Sequence, residues 1–412
     1  MEVLPAKRFP SLSTRAGTLL ARGCAAVICL GAFSLLPAQA PRPFFDTFNY
    51  TYDTPLSKYW HPGNPPGLCC PSPNGIWQKR GGEWNVYLAP QNVKTTNGKL
   101  DVKVSAYVGP PPPKAYGGQV ETQFKNAYGS YMARLKVAGP TGNPSQGVTN
   151  AFFYWSPQAE IDLEFRSRWQ GAFGPNTGLL DIVMHKNLSG GGRKSYQAPV
   201  ILNFDPSKGF HTYRFDWHND RVEFFVDSKL VQVVTNAVLP TPSMPGKLYF
   251  NSWTGNPLWS GEPPNIDTHF YVDWVNYTPV FFKTDKTALR VSTGGQANFY
   301  LDAGPARANR VYVILTSLQP TNIGTPLGGY LTLPLDLNWA SFVLLSSANT
   351  TTFPGFIGTF NAQGRGTAGL NLPSGLSPTL AGLHLHFAYL GINAALNGFT
   401  VASNPVVIRL VP

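Results

Sequence analysis

Residues 158–166 read Gln-Ala-Glu-Ile-Asp-Leu-Glu-Phe-Arg. Side chains alternate across a β-strand, so an extended chain here puts Glu160, Asp162 and Glu164 on one face and Ile161, Leu163 and Phe165 on the other. The apolar set asks for a core to cover. The acidic set crowds three like charges onto adjacent sites of one face. Neighbouring carboxylates repel, so at least one must hold its proton above the usual carboxylate range. A solvated strand face is the plain alternative, and the stretch alone leaves both open.

The spacing says what such an arrangement is useful for. At about 3.3 Å of rise per residue, the backbones of Glu160 and Glu164 lie roughly 13 Å apart. Each side chain reaches about 4 Å toward the other, which leaves roughly 5 Å between carboxyls, the separation of a retaining pair at a glycosidic bond. Asp162 lies between them and is one methylene shorter, so it can bond a neighbouring glutamate without blocking a sugar. One rigid element thus offers a nucleophile, a general acid/base and an orienting group.

The flanking sequence supplies the sheet that such a strand needs. Upstream, Asn150-Ala-Phe-Phe-Tyr-Trp155 reads as a strand ending in aromatics. Downstream, Leu180 to His185 alternates, with Asp181, Val183 and His185 on one face. His211 to Trp217, a turn at Asn219-Asp220 and Val222 to Val226 read as an antiparallel hairpin. Lys247 to Trp253 puts Tyr249, Asn251 and Trp253 on a common face.

Several of these runs carry a resemblance. The stretch from Phe44 to Pro279 resembles glycoside hydrolase family 16, within it the branch of the bacterial lichenases (β-1,3-1,4-glucanases) and the xyloglucan transglycosylases. The carrying residues are Glu160-Ile-Asp-Leu-Glu-Phe165, Lys208 to Trp217, Phe225-Val-Asp-Ser-Lys229, Pro245-Gly-Lys247, Asn251-Ser-Trp253 and Val272 to Tyr277. The resemblance implies an all-β fold, a concanavalin A-like jelly-roll sandwich with a substrate cleft across one sheet. It implies that Glu160 is the nucleophile, Asp162 the assisting acid and Glu164 the acid/base. Asn251 and Trp253 match sugar-contacting positions, Phe153 and Trp155 aromatic subsite positions, and Trp259 a further subsite tryptophan. His185 falls where many members hold a polar contact, though a lone histidine is as readily a structural one. Trp217 and Trp274, alternating with polar neighbours, are expected in the core. Trp253 and Trp259, among Gly, Asn and Pro, are expected on loops facing substrate. Asp273 matches a position that holds structural calcium in lichenases, a weak signal because that ion takes six to eight oxygens. The chemistry itself requires no cofactor.

The departures fall outside the acids. Gln119-Val-Glu-Thr122 stands where family members read Glu-x-Arg-Thr, so the sugar-binding Glu/Arg pair is not reproduced. Arg166 and Arg168 follow the acids where lichenases run Leu-Gly. The resulting expectation is a retaining endo-β-glucanase acting on β-1,3-1,4- or β-1,3-linked polysaccharide. The alternatives are an endo-hydrolase of a sulfated galactan, which the two arginines suggest, a transglycosylase of the same fold, and a non-catalytic glycan-binding protein. Against the galactanase stands the absence of an extra residue between Asp162 and Glu164.

The remaining sequence bounds the setting. Residues 1–40 read as a signal peptide: Lys7, Arg8, Arg15 and Arg22 form a basic leader, Cys24 to Leu36 is an apolar run too short to span a bilayer, and Ala38-Gln-Ala40 is a cleavage site. Secretion to the extracellular space or cell envelope follows, with no membrane span after cleavage. The leader has four basic groups and one acid, Glu2, so the formal charge of +11 becomes 11 − 3 = +8 without it. That excess is scattered, with no basic run or phosphate-cradling loop, which excludes nucleic acid as a partner. Cys69 and Cys70 are adjacent and would pair only as a vicinal disulfide or stay free. Residues 41–280 are expected to form the hydrolase domain. Residues 281–412 lack glutamate and hold three aspartates, in short alternating runs cut by Gly, Pro and Asn. They read as a second, smaller all-β sandwich, with glycan or cell-surface attachment and a structural role both open.

Overall fold

The computed structural model describes residues 43–50, 60–62, 76–78, 85–107, 114–174, 176–187, 194–235, 239, 245–256, 258–319, 321, 323–328 and 331–412. The leader and the Cys69-Cys70 pair lie outside them. From Phe44 to Thr278 the chain builds two sheets with one core between them, antiparallel except where Asn85–Leu88 pairs parallel to Lys114–Thr122.

The first sheet runs, edge to edge, through Lys229–Val234, Val222–Val226, His211–Trp217, Gly129–Lys136, Thr268–Thr278, Lys99–Val104 and Val93–Thr96. Its inward residues include Tyr131, Phe215, Trp217 and Tyr277, all fully buried. The hairpin expected at 211–226 is present, with Trp217 paired to Val222. The core positions expected for Trp217 and Trp274 hold, at 0% and 3% exposure.

The second sheet carries the site. Its order is Lys194–Leu202, Gly178–Lys186, Ala159–Arg166, Thr149–Ser156, Lys247–Trp253, Lys114–Thr122, Asn85–Leu88 and Ile76–Gln78. The alternation of the 158–166 stretch is realised: Ile161, Leu163 and Phe165 enter the core, and the acids point away from it. Phe152 and Tyr154 join them in the core from the neighbouring strand, while Ala151, Phe153 and Tyr249 pack on the acidic face. The acid strand is third from one edge, so both its neighbours fix its backbone by ladder hydrogen bonds.

From Phe281 onward the strands form other sheets around a separate cluster that includes Phe282, Phe299, Phe356 and Phe387. A three-stranded sheet joins Phe281–Thr284, Gly295–Asp302 and Arg365–Leu372. A six-stranded one centres on His384–Ile392 and Val311–Ser317. An α-helix, Trp339–Ser346, interrupts these sheets, and Asn338 and Ser341 close its amino end in a reciprocal capping box.

Specific bonds tie the two parts together. Thr278 donates its hydroxyl to the Ala402 carbonyl at 2.8 Å, and Arg214 Nη1 donates to the Phe282 carbonyl at 3.3 Å. The His218 ring stacks on Phe281 at 4.0 Å between centroids. Lys283 reaches Glu223 at 3.3 Å. A cavity of about 410 Å³ opens at this seam, lined by Glu223, Phe225, Lys283 and Tyr300 among others, and none of the acids of the 158–166 stretch borders it.

Candidate active site

Strand register assembles the acidic face. Glu160 lies opposite His185 on one side and Trp155 on the other. Asp162 lies between Val183 and Phe153, and Glu164 between Asp181 and Ala151. The rows continue outward: Ala151 faces Asn251, which faces Gln119, and Phe153 faces Tyr249, which faces Glu121. Opposed residues of an antiparallel pair share a face. Every site residue expected on this sheet therefore meets the acids on one surface: Phe153, Trp155, His185, Asn251 and Trp253.

Their roles in that surface differ from the expectation in places. Phe153 is 4% exposed and stacks on Tyr249 at 4.8 Å, so it forms floor rather than an open platform. Trp155 stays partly open beside it. Trp253 is the last residue of a strand, not a loop residue, and at 6% exposure it packs with Ala115 and Trp259. The Gly, Asn and Pro that suggested a loop come after it. Trp259 does lie in the following loop and remains partly open.

The electrostatics separate the acids. Asp162 is 5% exposed at the centre of the row. Glu160 Oε2 stands 4.0 Å from His185 Nε2, while His185 Nδ1 lies 2.8 Å from the Ser195 hydroxyl. In the tautomer whose Nδ1 accepts from Ser195, the Nε2 hydrogen points to Glu160. Glu164 is pushed up to about 8, first by burial of its carboxyl and then by the charges of Glu160 and Asp181. The neighbouring Trp259 indole and the charge of Arg166 oppose that rise without cancelling it. One carboxylic acid held protonated near neutral pH beside a second carboxylate is the pairing that acid–base chemistry on an ether-type oxygen needs.

Three features were not anticipated from sequence. Arg166 binds Asp181 with two hydrogen bonds, Nε to Oδ2 at 2.7 Å and Nη2 to Oδ1 at 3.1 Å. Gln197 adds a third bond to Asp181 at 3.2 Å. Glu121, buried where the family holds arginine, is paired with Lys247 of the adjacent strand. The Glu/Arg pair is thus replaced by a Glu/Lys pair with its acid on the other partner. Lys247 alternates with Tyr249 and Asn251, and that alternation was the one available signal.

Glu160, Asp162 and His185 bring ligand atoms within 4.8 Å of one another. The suggested calcium position does not fit. Asp273 is bonded to Arg134 and stands 3.8 Å from Lys99 Nζ, so cations rather than a ring of oxygens surround its carboxylate.

Comparison with known proteins identifies the family. The family described as glycosyl hydrolases family 16 matches residues 81–276. A β-glucanase of Paenibacillus macerans is 30% identical over 221 residues, which cover 49% of this chain and 82% of that protein. The chain belongs to glycosyl hydrolase family 16. It is a glycoside hydrolase by that membership. A β-glucanase of Bacillus subtilis (strain 168) is 29% identical over 219 residues, 50% of this chain and 82% of that one. Among solved structures, the β-glucanase of Bacillus licheniformis covers 58% of this chain and 99% of its own at 23% identity, with a TM-score of 0.45. The family match ends at residue 276, before the sheets that begin at Phe281. Among the described residues no helix is long and apolar enough to cross a membrane.

Proposed function

We propose that this family 16 hydrolase is a secreted, retaining endo-β-glucanase that cleaves β-1,3-1,4- or β-1,3-linked glucan. The observation that carries the reading is Glu164, held protonated to about pH 8, four residues from Glu160 on the same strand face. Glu164 gives its proton to the leaving glycosidic oxygen as Glu160 attacks the anomeric carbon from the opposite side. The bond to the leaving sugar breaks and a glycosyl ester on Glu160 forms. Glu164, now a carboxylate, takes a proton from water, which attacks the same carbon and releases Glu160. Asp162, in the row between them, orients Glu160. Phe153, Tyr249 and Trp155 supply the apolar surface on which a pyranose face rests, and Asn251, His185 and Trp259 border it with polar atoms. None of these steps calls for a metal.

The β-glucanase relatives and the compact Glu-x-Asp-x-Glu spacing support a glucan as the polysaccharide. The sulfated-galactan reading rested partly on Arg166, whose guanidinium is taken up by Asp181. The leader read in residues 1–40 supports export. The test is new reducing ends from lichenan, laminarin, xyloglucan and agarose, with product sizing in excess oligosaccharide acceptor. Cleavage of lichenan or laminarin supports the reading. Turnover of agarose alone, or transfer products dominating at every acceptor concentration, overturns it.

A further inference from the structure

Arg166 poses a problem for an acid that must stay protonated. It is two residues from Glu164 on the same strand face, and a cation so close would ordinarily stabilise the carboxylate and lower its proton affinity by about 1–3 units. Its charge is directed elsewhere. Asp181, fully buried, lies directly across the ladder from Glu164 and diagonally from Arg166, the geometry at which long side chains of adjacent strands meet. The guanidinium fork closes on it in the bidentate mode at 2.7 and 3.1 Å. Gln197, from the edge strand, holds the same carboxylate. The other side of the guanidinium lies over Trp259, its carbon 4.3 Å from the ring centroid.

We infer that Asp181 and Trp259 hold the Arg166 guanidinium off the acid/base, so that all three act as positioning residues for Glu164. Asp181 takes up the guanidinium through its fork and draws it from Glu164, and the Trp259 ring packs against it. The inference rests on the acid/base role given to Glu164, yet it concerns a property of the free protein. The other groups around Glu164 are compatible with it. Glu160 and Asp162 on its own strand, and Asp181 across the ladder, disfavour a second negative charge. His185 lies at the Glu160 end of the row. The strand on the other side offers Ala151, then Asn251 and Gln119, none of them charged, and Lys247 is bound to Glu121.

The test is the titration of Glu164 in substrate-free protein carrying ¹³C-labelled glutamate carboxyls, with the signal assigned by its loss in Glu164→Gln. Asp181→Asn frees Arg166, and the midpoint is expected to fall by about one unit or more. Arg166→Met leaves Asp181 uncompensated and moves the midpoint the other way. Arg166→Lys keeps the charge without fork or stacking plane, so the midpoint stays within about half a unit while kcat on the best glucan drops more than KM changes. Asp181→Glu restores the carboxylate and brings the titration back toward the parent. A midpoint unmoved or raised in Asp181→Asn overturns the inference. If that variant does not fold by circular dichroism, equal midpoints in Arg166→Met and the parent overturn it instead. Inactivity of the parent on every glucan would sink the proposed function and leave this titration to be decided separately.

Discussion

The acid-bearing sheet face (the expected cleft) and the seam each gather acids, with opposite results for the proton. In the cleft, Glu160, Asp162, Glu164 and Asp181 share one sheet face, and the guanidinium of Arg166 is bound to Asp181. Glu164 is pushed up to about 8. At the seam, Glu223 is 7% exposed, so burial works to raise it too. There the His218 ring at 3.6 Å, the hydrogen bond from Arg221 at 2.8 Å and the charge of Lys283 converge on one carboxylate and hold it far below the usual range. Burial sets how strongly charges are felt, and the local count of charges sets the direction. The same fold therefore makes a proton donor of one glutamate and a permanent anion of another.

The comparison breaks most visibly if the cleft acids are removed. Glu160→Gln, nearly isosteric, is expected to cost more than about 10³-fold in kcat on the preferred glucan while the fold melts as before. Activity within tenfold of the parent would remove Glu160 from the chemistry. Glu164→Gln should cost about 10²- to 10⁴-fold. In the parent, kcat/KM should fall on the alkaline side with a midpoint near 8, because the donor must hold its proton. An alkaline limb near 5 would mean that Glu164 titrates as an ordinary carboxyl. The sign also fixes a stability trend. A folded-state affinity raised above the unfolded value of about 4.3 makes Glu164 favour folding at low pH, and that contribution is lost as pH rises toward 8.

The acids were legible in the sequence because a strand has period two and each one stands at every second position. Their roles came from the family pattern, and the strand's two faces came from alternation alone. The partners that tune the acids were less legible, since they depend on register between strands. Asp181 meets Glu164 only once the pairing of Glu164 with Asp181 is known, fifteen residues after Arg166. Glu121 and Lys247 are 126 residues apart and meet through neighbouring strands. Trp253 was read as a loop residue because the turn signals that follow it say where a strand ends only to within a residue or two. The Trp339–Ser346 helix had a readable signal in Asn338-Trp-Ala-Ser341, hidden by apolar residues on both its faces, with Trp339 77% exposed and Phe342 63%. Cys69 and Cys70 and the leader stay where the sequence left them, outside the described residues.

The seam sharpens the comparison from the other side. Glu223→Gln removes the anion and leaves Arg221 and Lys283 without their common partner. Both cations keep some contact with solvent, at 30% and 39% side-chain exposure, so the loss should be about 1–3 kcal/mol rather than the value for a sealed pair. Urea unfolding at pH 7 measures it. Because the folded carboxyl is held below its unfolded value of about 4.3, its contribution is complete above that value and is lost as pH falls below it. The gap between parent and variant should therefore narrow in melts at pH 3. The kcat/KM of the variant should stay within about twofold, since the substitution leaves the cleft residues untouched. A gap that persists unchanged at pH 3 would mean that Glu223 stabilises through packing and not through charge.

Asp273 supplies the smallest effect and the finest discrimination. It is an acid with cations on it, like Glu223, but nearer the surface, with 17% of its side chain exposed. If charge count governs an acid's partner, Arg134 and Lys99 already balance this one, and a divalent cation would have to displace both. A site that bound calcium at a hundredfold its Kd would add about 2.7 kcal/mol, several degrees of Tm in a chain this size. Thermal melts in millimolar calcium and in EDTA should instead agree within about a degree. Asp273→Asn should cost under about 1 kcal/mol, the worth of a partly exposed pair, with the same insensitivity to calcium. A calcium-dependent rise in Tm that disappears in Asp273→Asn would show that ligand oxygens outweigh two fixed cations at this position, and that the rule drawn from cleft and seam stops at monovalent charges.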